Sequence, residues 1–143
     1  MRLVLDTCVM VSAIRSDKGA SRQLLEMVLR GNLHPLVSVP LFMEYEATMM
    51  RKEHLEKSGG SPDDIRRILD AIAIYVDEVV IWFLTRPSTK DAGDDMVLEA
   101  AVNGRADAIV TENIADFGDG ALRYGIRVLK PGEALQQVRG MTR

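Results

Sequence analysis

Asp94-Asp95-Met96-Val97-Leu98-Glu99-Ala100-Ala101-Val102-Asn103, followed across Gly104-Arg105 by Ala106-Asp107-Ala108-Ile109-Val110-Thr111-Glu112-Asn113, is the stretch that decides the fold. From Asp95 to Asn103 it carries Val97, Leu98, Ala101 and Val102 on one side at helical spacing, and Ala108 to Thr111 reads as a short buried strand. Working outward, Arg127 to Lys130 reads as a last strand before a C-terminal helix from Gly132. Upstream, Val79 to Leu84 is rich in β-branched and aromatic residues and predicts a strand, followed by a loop from Arg86 to Lys90. Ser61-Pro62-Asp63-Asp64 supplies a cap, a first-turn proline and two acids suited to a helix dipole, with Ile65, Ile68, Leu69, Ile72 and Val76 repeating at helical spacing behind them. Lys57-Ser58-Gly59-Gly60 connects that helix to one that starts at Ser38 and Pro40 and runs to about Lys52. His34 to Ser38 reads as a second short strand.

At the N-terminus, Leu3 to Asp6 predicts a buried strand that stops at an acid, and Ser21 caps a helix with Leu24, Leu25, Val28 and Leu29 on its apolar face, ending at Gly31. That order is strand, loop, helix. Alternating strands and helices predict an α/β three-layer sandwich: a mostly parallel central sheet of about five strands with helices on both faces. In such sheets sites form at the carboxyl ends of the strands.

The chain has 143 residues, 47% of them hydrophobic, which suits one domain over 1–143 with a core of its own. A formal net charge of -3 gives no bulk attraction for polyanions, so a nucleic-acid partner requires a local basic patch. Cys8 is the one cysteine, which excludes an intramolecular disulfide framework and a cysteine-based zinc site and fits a reducing compartment, the cytosol by default. The opening apolar run is broken at once by Asp6, so no secretion signal is expected, and no stretch approaches the ~20 apolar residues that span a bilayer.

The strand-end rule gives Asp6 its weight. Asp94 and Asp95 open a helix, Asp116 lies just beyond the strand ending at Thr111, and Glu44 lies in the first turns after the second strand, so all can converge on one sheet edge. Clustered carboxylates repel one another and recruit a cation; oxygen-only ligands with open positions suit Mg²⁺ or Mn²⁺ and phosphodiester hydrolysis. Each acid also has a plainer role. Asp94 or Asp95 alone serves as a helix cap, Glu44 alone as a solvated helix residue and Asp116 alone as a turn residue. Asp6 is the exception, because a carboxylate ending a buried strand loses solvation that something must offset.

Val4-Leu5-Asp6-Thr7-Cys8-Val9, the segment from Ser38 through Glu44-Tyr45 to Arg51, and the stretch from Asp91 to Phe117 together resemble PIN-domain proteins, specifically the branch described as toxin components of type II toxin-antitoxin systems. The resemblance covers about residues 2 to 130 and implies a PIN-like fold and a metal-dependent endoribonuclease cutting single-stranded RNA. It implies that Asp6, Glu44 and Asp95, rather than Asp94, hold Mg²⁺ or Mn²⁺, and that the Thr111 hydroxyl orients Asp6. Two departures stand out: Cys8, where the family often has Asn or Ser, and Asn113, where it often has an aspartate. Asn113 can hold a metal or its water through the amide oxygen but supplies no charge, and Asp116 is a candidate fourth carboxylate that reads equally well as a turn residue. The resemblance also implies a cognate antitoxin protein, and dimerisation is common in the family; a membrane is not an expected partner.

Arg15, Lys18 and Arg22, with Arg51 and Lys52, are candidate phosphate contacts among charges that serve equally as ordinary surface. Trp82 and Phe83 read as core rather than base-stacking residues, Cys8 as a small buried residue rather than a nucleophile, and His34 and His54 receive no role. Two other readings compete. A phosphoacceptor receiver would use Thr111 and Lys130-Pro131 but needs an aspartate ending a central strand, where this chain offers Glu44 to Lys57. A catalytically impaired PIN relative that binds RNA is favoured by Asn113 and opposed by the intact Asp6, Glu44 and Asp95 set.

Overall fold

The computed structural model describes residues 1–82 and 92–141. Phe83, Leu84, the loop expected from Arg86 to Lys90 and Asp91 lie outside the described residues. Strand β1 (Leu3–Leu5) runs directly into helix α1 (Thr7–Arg15), followed by α2 (Ala20–Leu29), β2 (Leu36–Val37), α3 (Val39–Met49), α4 (Lys52–Ser58), α5 (Pro62–Ala73) and β3 (Asp77–Glu78). Beyond the undescribed segment come α6 (Ala92–Asn103), β4 (Ala108–Val110), α7 (Ile114–Arg123), β5 (Arg127–Leu129) and α8 (Pro131–Met141).

All described strand pairs are parallel, as the helix-strand alternation predicted. The core sheet has the order β1-β4-β5, with Val4 opposite Ile109 and Ile109 opposite Val128. It is narrower than the expected five strands, because β2 and β3 form a separate two-stranded ladder beside β1. The reason is local: Pro35 has no N–H to give to a ladder, and Ser38 already turns outward to cap α3, its Oγ accepting the Leu41 N–H at 3.3 Å. Only Leu36 and Val37 remain to pair, so β3 begins at Asp77 rather than at Val79. Val79 contributes one last N–H to Val37 O at 2.9 Å.

Leu3, Val4, Ala108, Ile109 and Val110 are fully buried, as strands covered on both faces require. Helix α6 packs on β1, β2 and β4, burying Val97, Leu98, Ala100 and Ala101. Its exit is tight: a Cβ on Gly104 would stand 2.8 Å from Val79 Cγ2 and 2.9 Å from the Ala100 carbonyl oxygen. The capping box of α5 forms as expected, Ser61 Oγ accepting the Asp64 N–H at 3.3 Å and Asp64 Oδ2 the Ser61 N–H at 2.9 Å.

Several boundaries differ from expectation. Ser21 is not a cap: Gly19 holds that position without a side-chain bond, and Ser21 is buried in the first turn of α2. The expected loop after β1 is helix α1, and Asp116 stands in helix α7 rather than in a turn. The single helix expected from Ser38 to Lys52 breaks at Met50-Arg51 and restarts as α4, which packs on α1. Trp82 is not core, being 83% exposed. Among the described residues no helix is long and apolar enough to cross a membrane.

Candidate active site

Asp6 follows the last residue of β1 and its backbone N–H still reaches Val110 O at 2.9 Å, so the sheet itself fixes where the carboxylate starts. The side chain is 5% exposed, and burial at that level requires partners. Two are present on the same oxygen: Thr111 Oγ1 donates to Asp6 Oδ2 at 2.6 Å, and Cys8 Sγ donates to it at 3.1 Å. Thr111 is fully buried and its Oγ1 in turn accepts the Asn113 N–H at 3.0 Å, tying the exit of β4 to the exit of β1. The expected bond from Thr111 to Asp6 is therefore present. Burial first, and the Asp6 charge second, push the Cys8 thiol up to about 12, so it stays protonated and acts as a donor.

A cavity of about 510 Å³ opens over this edge, lined by Asp6, Thr7, Cys8, Val11, Ser12, Arg15, Glu44, Thr48, Arg51, His54, Gly93, Asp94, Glu112, Asn113 and Asp116. It brings Asp6 together with Glu44 from α3, Asp116 from α7 and Asn113 at the α7 N-cap. Thr111 is not in the lining and acts behind it. Asp95 is not in the lining either; it is 5% exposed and shares the inward side of α6 with Glu99, one turn on and 2% exposed. The α6 carboxylate that faces the cavity is Asp94. Sequence periodicity places both residues at the helix start but does not say which of two adjacent side chains turns outward.

Tyr45 was missed by sequence reading. Its ring is 1% exposed and its hydroxyl donates to Leu5 O at 2.5 Å, pinning α3 against the end of β1 and so presenting its neighbour Glu44 to the Asp6 edge. Burial and the nearby Asp6 charge raise the phenol well above its usual range, which keeps the donor protonated. A buried aromatic next to the acid is the only signal the sequence offers. Thr48 Oγ1 holds Glu44 Oε1 from one turn along, at 3.2 Å.

The lining sets five carboxylates against the guanidinium groups of Arg15 and Arg51. Such a cavity repels a phosphodiester until a cation offsets the charge. No three His, Cys, Asp or Glu side chains among the described residues stand close enough together to hold a metal ion by themselves. Mg²⁺ does not require a closed protein cage, since it keeps several waters and binds through one or two carboxylates plus substrate phosphates. An all-oxygen donor set around open space fits a hard divalent ion. Of the candidate phosphate contacts, Arg15 and Arg51 line the cavity, whereas Arg22 pairs with Glu26 at 3.3 Å and Lys52 with Glu56 at 4.0 Å.

A parallel α/β domain with carboxylates from four elements around a polar cavity at its strand ends belongs to the nuclease-like class. A family model described as a PIN domain matches residues 2–115. The chain belongs to the PIN-domain family, whose members are generally metal-dependent nucleases, and the receiver reading is thereby set aside. No curated protein and no solved structure matches the chain.

Proposed function

We propose that the chain is a metal-dependent endoribonuclease that hydrolyses phosphodiester bonds of single-stranded RNA and serves as the toxin of a type II toxin-antitoxin pair. The observation that carries this reading is the shared cavity of Asp6, Glu44, Asp94 and Asp116, contributed by the exit of β1 and by α3, α6 and α7. One or two of these carboxylates, Asp6 foremost, would hold Mg²⁺ or Mn²⁺ together with waters and a substrate phosphate, with the Asn113 amide oxygen available to a metal-held water. From α6, Asp95 remains the ligand implied by the resemblance, and its neighbour Asp94, which stands in the cavity lining, is the alternative. When bound, the cation supplies charge neutralisation and activation of water. The chain's own part is positioning: Thr111 and Cys8 occupy Asp6 Oδ2, which leaves Oδ1 for the ion, while Arg15 and Arg51 at the rim hold the phosphate.

Purified protein should cleave an unstructured RNA with Mg²⁺ or Mn²⁺ and stop in EDTA, and Asp6→Asn should abolish cleavage. Equal activity in chelator would remove the mechanism. The toxin role extends the resemblance and brings two proposed partners, a cognate antitoxin and a second copy of the chain. Expression of the active enzyme should slow growth, and harmless expression would count against that role. A second reading, RNA binding without cleavage, is favoured by Asn113 in the cavity where its amide adds no charge; stoichiometric RNA binding with no product in any divalent ion would select it.

A further inference from the structure

The acidic cavity shares a wall with a second cavity of about 510 Å³. Ser12, Arg15 and Glu112 line both, and the second continues over Ser21 and Lys130 between the opening turns of α2 and α8. Its charge is reversed. It contains one carboxylate, Glu112, whose two oxygens are held by Ser12 Oγ at 2.9 and 3.0 Å, against the cations of Arg15 and Lys130. Both cations are exposed, and neither has an ion-pair partner among the described residues. The Lys130 backbone N–H is taken by Glu133 Oε1 at 3.0 Å, so the ammonium and not the helix end is what this residue offers a ligand. Ser21, 5% exposed, lines the same cavity and adds a hydroxyl to its wall. A serine hydroxyl can donate to a phosphate oxygen.

We propose that this second cavity is a phosphate subsite for the same strand, taking a backbone phosphate flanking the one under attack through Arg15, Lys130 and the Ser21 hydroxyl. The inference rests on the nuclease reading and adds the direction of the strand's path: from the acidic cavity, past Ser12, and between α2 and α8. The shared wall argues for one continuous polyanion, because a strand leaving the acidic cavity on this side meets uncompensated positive charge.

The test is fluorescence anisotropy with labelled RNA of two and six nucleotides in EDTA, where the acidic cavity without a cation contributes no attraction. Wild-type protein should bind the hexanucleotide more tightly than the dinucleotide. Lys130→Ala should weaken hexanucleotide binding about 3- to 10-fold and lower the salt slope by about 0.7, the value of one single-strand phosphate contact. Ser21→Ala should weaken it about 2- to 5-fold, whereas Arg66→Ala, removing a cation that pairs with Asp63 at 3.2 Å on α5, should leave it unchanged. Superimposable titrations of wild type, Lys130→Ala and Ser21→Ala overturn the subsite even if the enzyme cleaves RNA with Mg²⁺. A hexaglutamate peptide binding as tightly as the hexanucleotide would overturn it in favour of an acidic protein segment. Weakened binding in Lys130→Ala with no cleavage by wild type would retain the phosphate site and reject the nuclease reading, so the two failures are distinct.

Discussion

Thr111→Val removes one hydroxyl and nothing else of comparable size, so its effect isolates the bond that holds Asp6. Thr111 Oγ1 donates to Asp6 Oδ2 at 2.6 Å and accepts the Asn113 N–H at 3.0 Å, in a residue with no exposed surface. A hydrogen bond to a charged group contributes about 1.5–3 kcal/mol, and a buried N–H left without an acceptor costs about 1–3 kcal/mol. Cys8 still donates to Asp6 at 3.1 Å, and Asn113 is exposed, so both effects fall toward the lower ends of their ranges. The sum is about 3 kcal/mol. For a domain of this length that is a fall in Tm of roughly 6–12 °C, or a fall of about 1–2 M in the urea midpoint. Thr111→Ser keeps the hydroxyl and loses a methyl group, which costs about 1 kcal/mol. Urea denaturation of the three proteins, with equal m-values as a check on two-state behaviour, measures the difference. If Thr111→Val unfolds within about 0.5 kcal/mol of Thr111→Ser, the hydroxyl is not what holds the carboxylate and the reasoning fails.

With Asp94 as the α6 ligand, Asp94→Asn should lower cleavage at least about 100-fold with little change in stability, whereas Asp95→Asn should cost more unfolding free energy because Asp95 is 5% exposed. The reverse pattern assigns the metal to Asp95. Gly104→Ala should destabilise by about 1–3 kcal/mol, because the added Cβ would meet Val79 Cγ2 at 2.8 Å and the backbone oxygen of Ala100 at 2.9 Å; an unchanged urea midpoint would show that the α6 exit is looser than described. Asp64 has its folded pKa lowered, chiefly by hydrogen bonds from the Ser61 backbone and hydroxyl. A depressed carboxylate stabilises above its unfolded pKa and loses that contribution as pH falls through the folded value. The stability gap between wild type and Asp64→Ala should therefore shrink on acidification from pH 7 to pH 2. A gap that stays constant would show that the capping box does not depend on the charge.

Much of this fold was legible because local chemistry and tertiary packing agree on it. Apolar runs at Leu3 to Leu5 and Ala108 to Val110 can only be strands covered on both faces, and the Ser61 to Asp64 cap is a bond between residues three apart that needs no distant partner. Asp6 was legible for a similar reason, since an acid closing such a strand is costly wherever the chain goes next. The helices α1 and α7 were not. Thr7 to Arg15 carries β-branched residues, and Asn113 to Asp116 has turn chemistry, so local preference gave no helix and packing of Val9, Met10, Phe117 and Ala121 made one.

The sequence by itself determined the parallel α/β class and the strand-end carboxylate Asp6, because these follow from burial patterns and from costs fixed at single residues, whereas the hydroxyl partner of Asp6 followed from the family resemblance. Only the tertiary structure showed that Asp94 stands in the cavity lining, that Tyr45 clamps α3 to Leu5, and that Arg15, Ser21 and Lys130 line a common second cavity. Adjacent side chains at a helix start differ by about 100° of rotation, and which one points outward depends on how the helix is docked. Residues more than a hundred positions apart become neighbours only when the sheet brings their strand ends together.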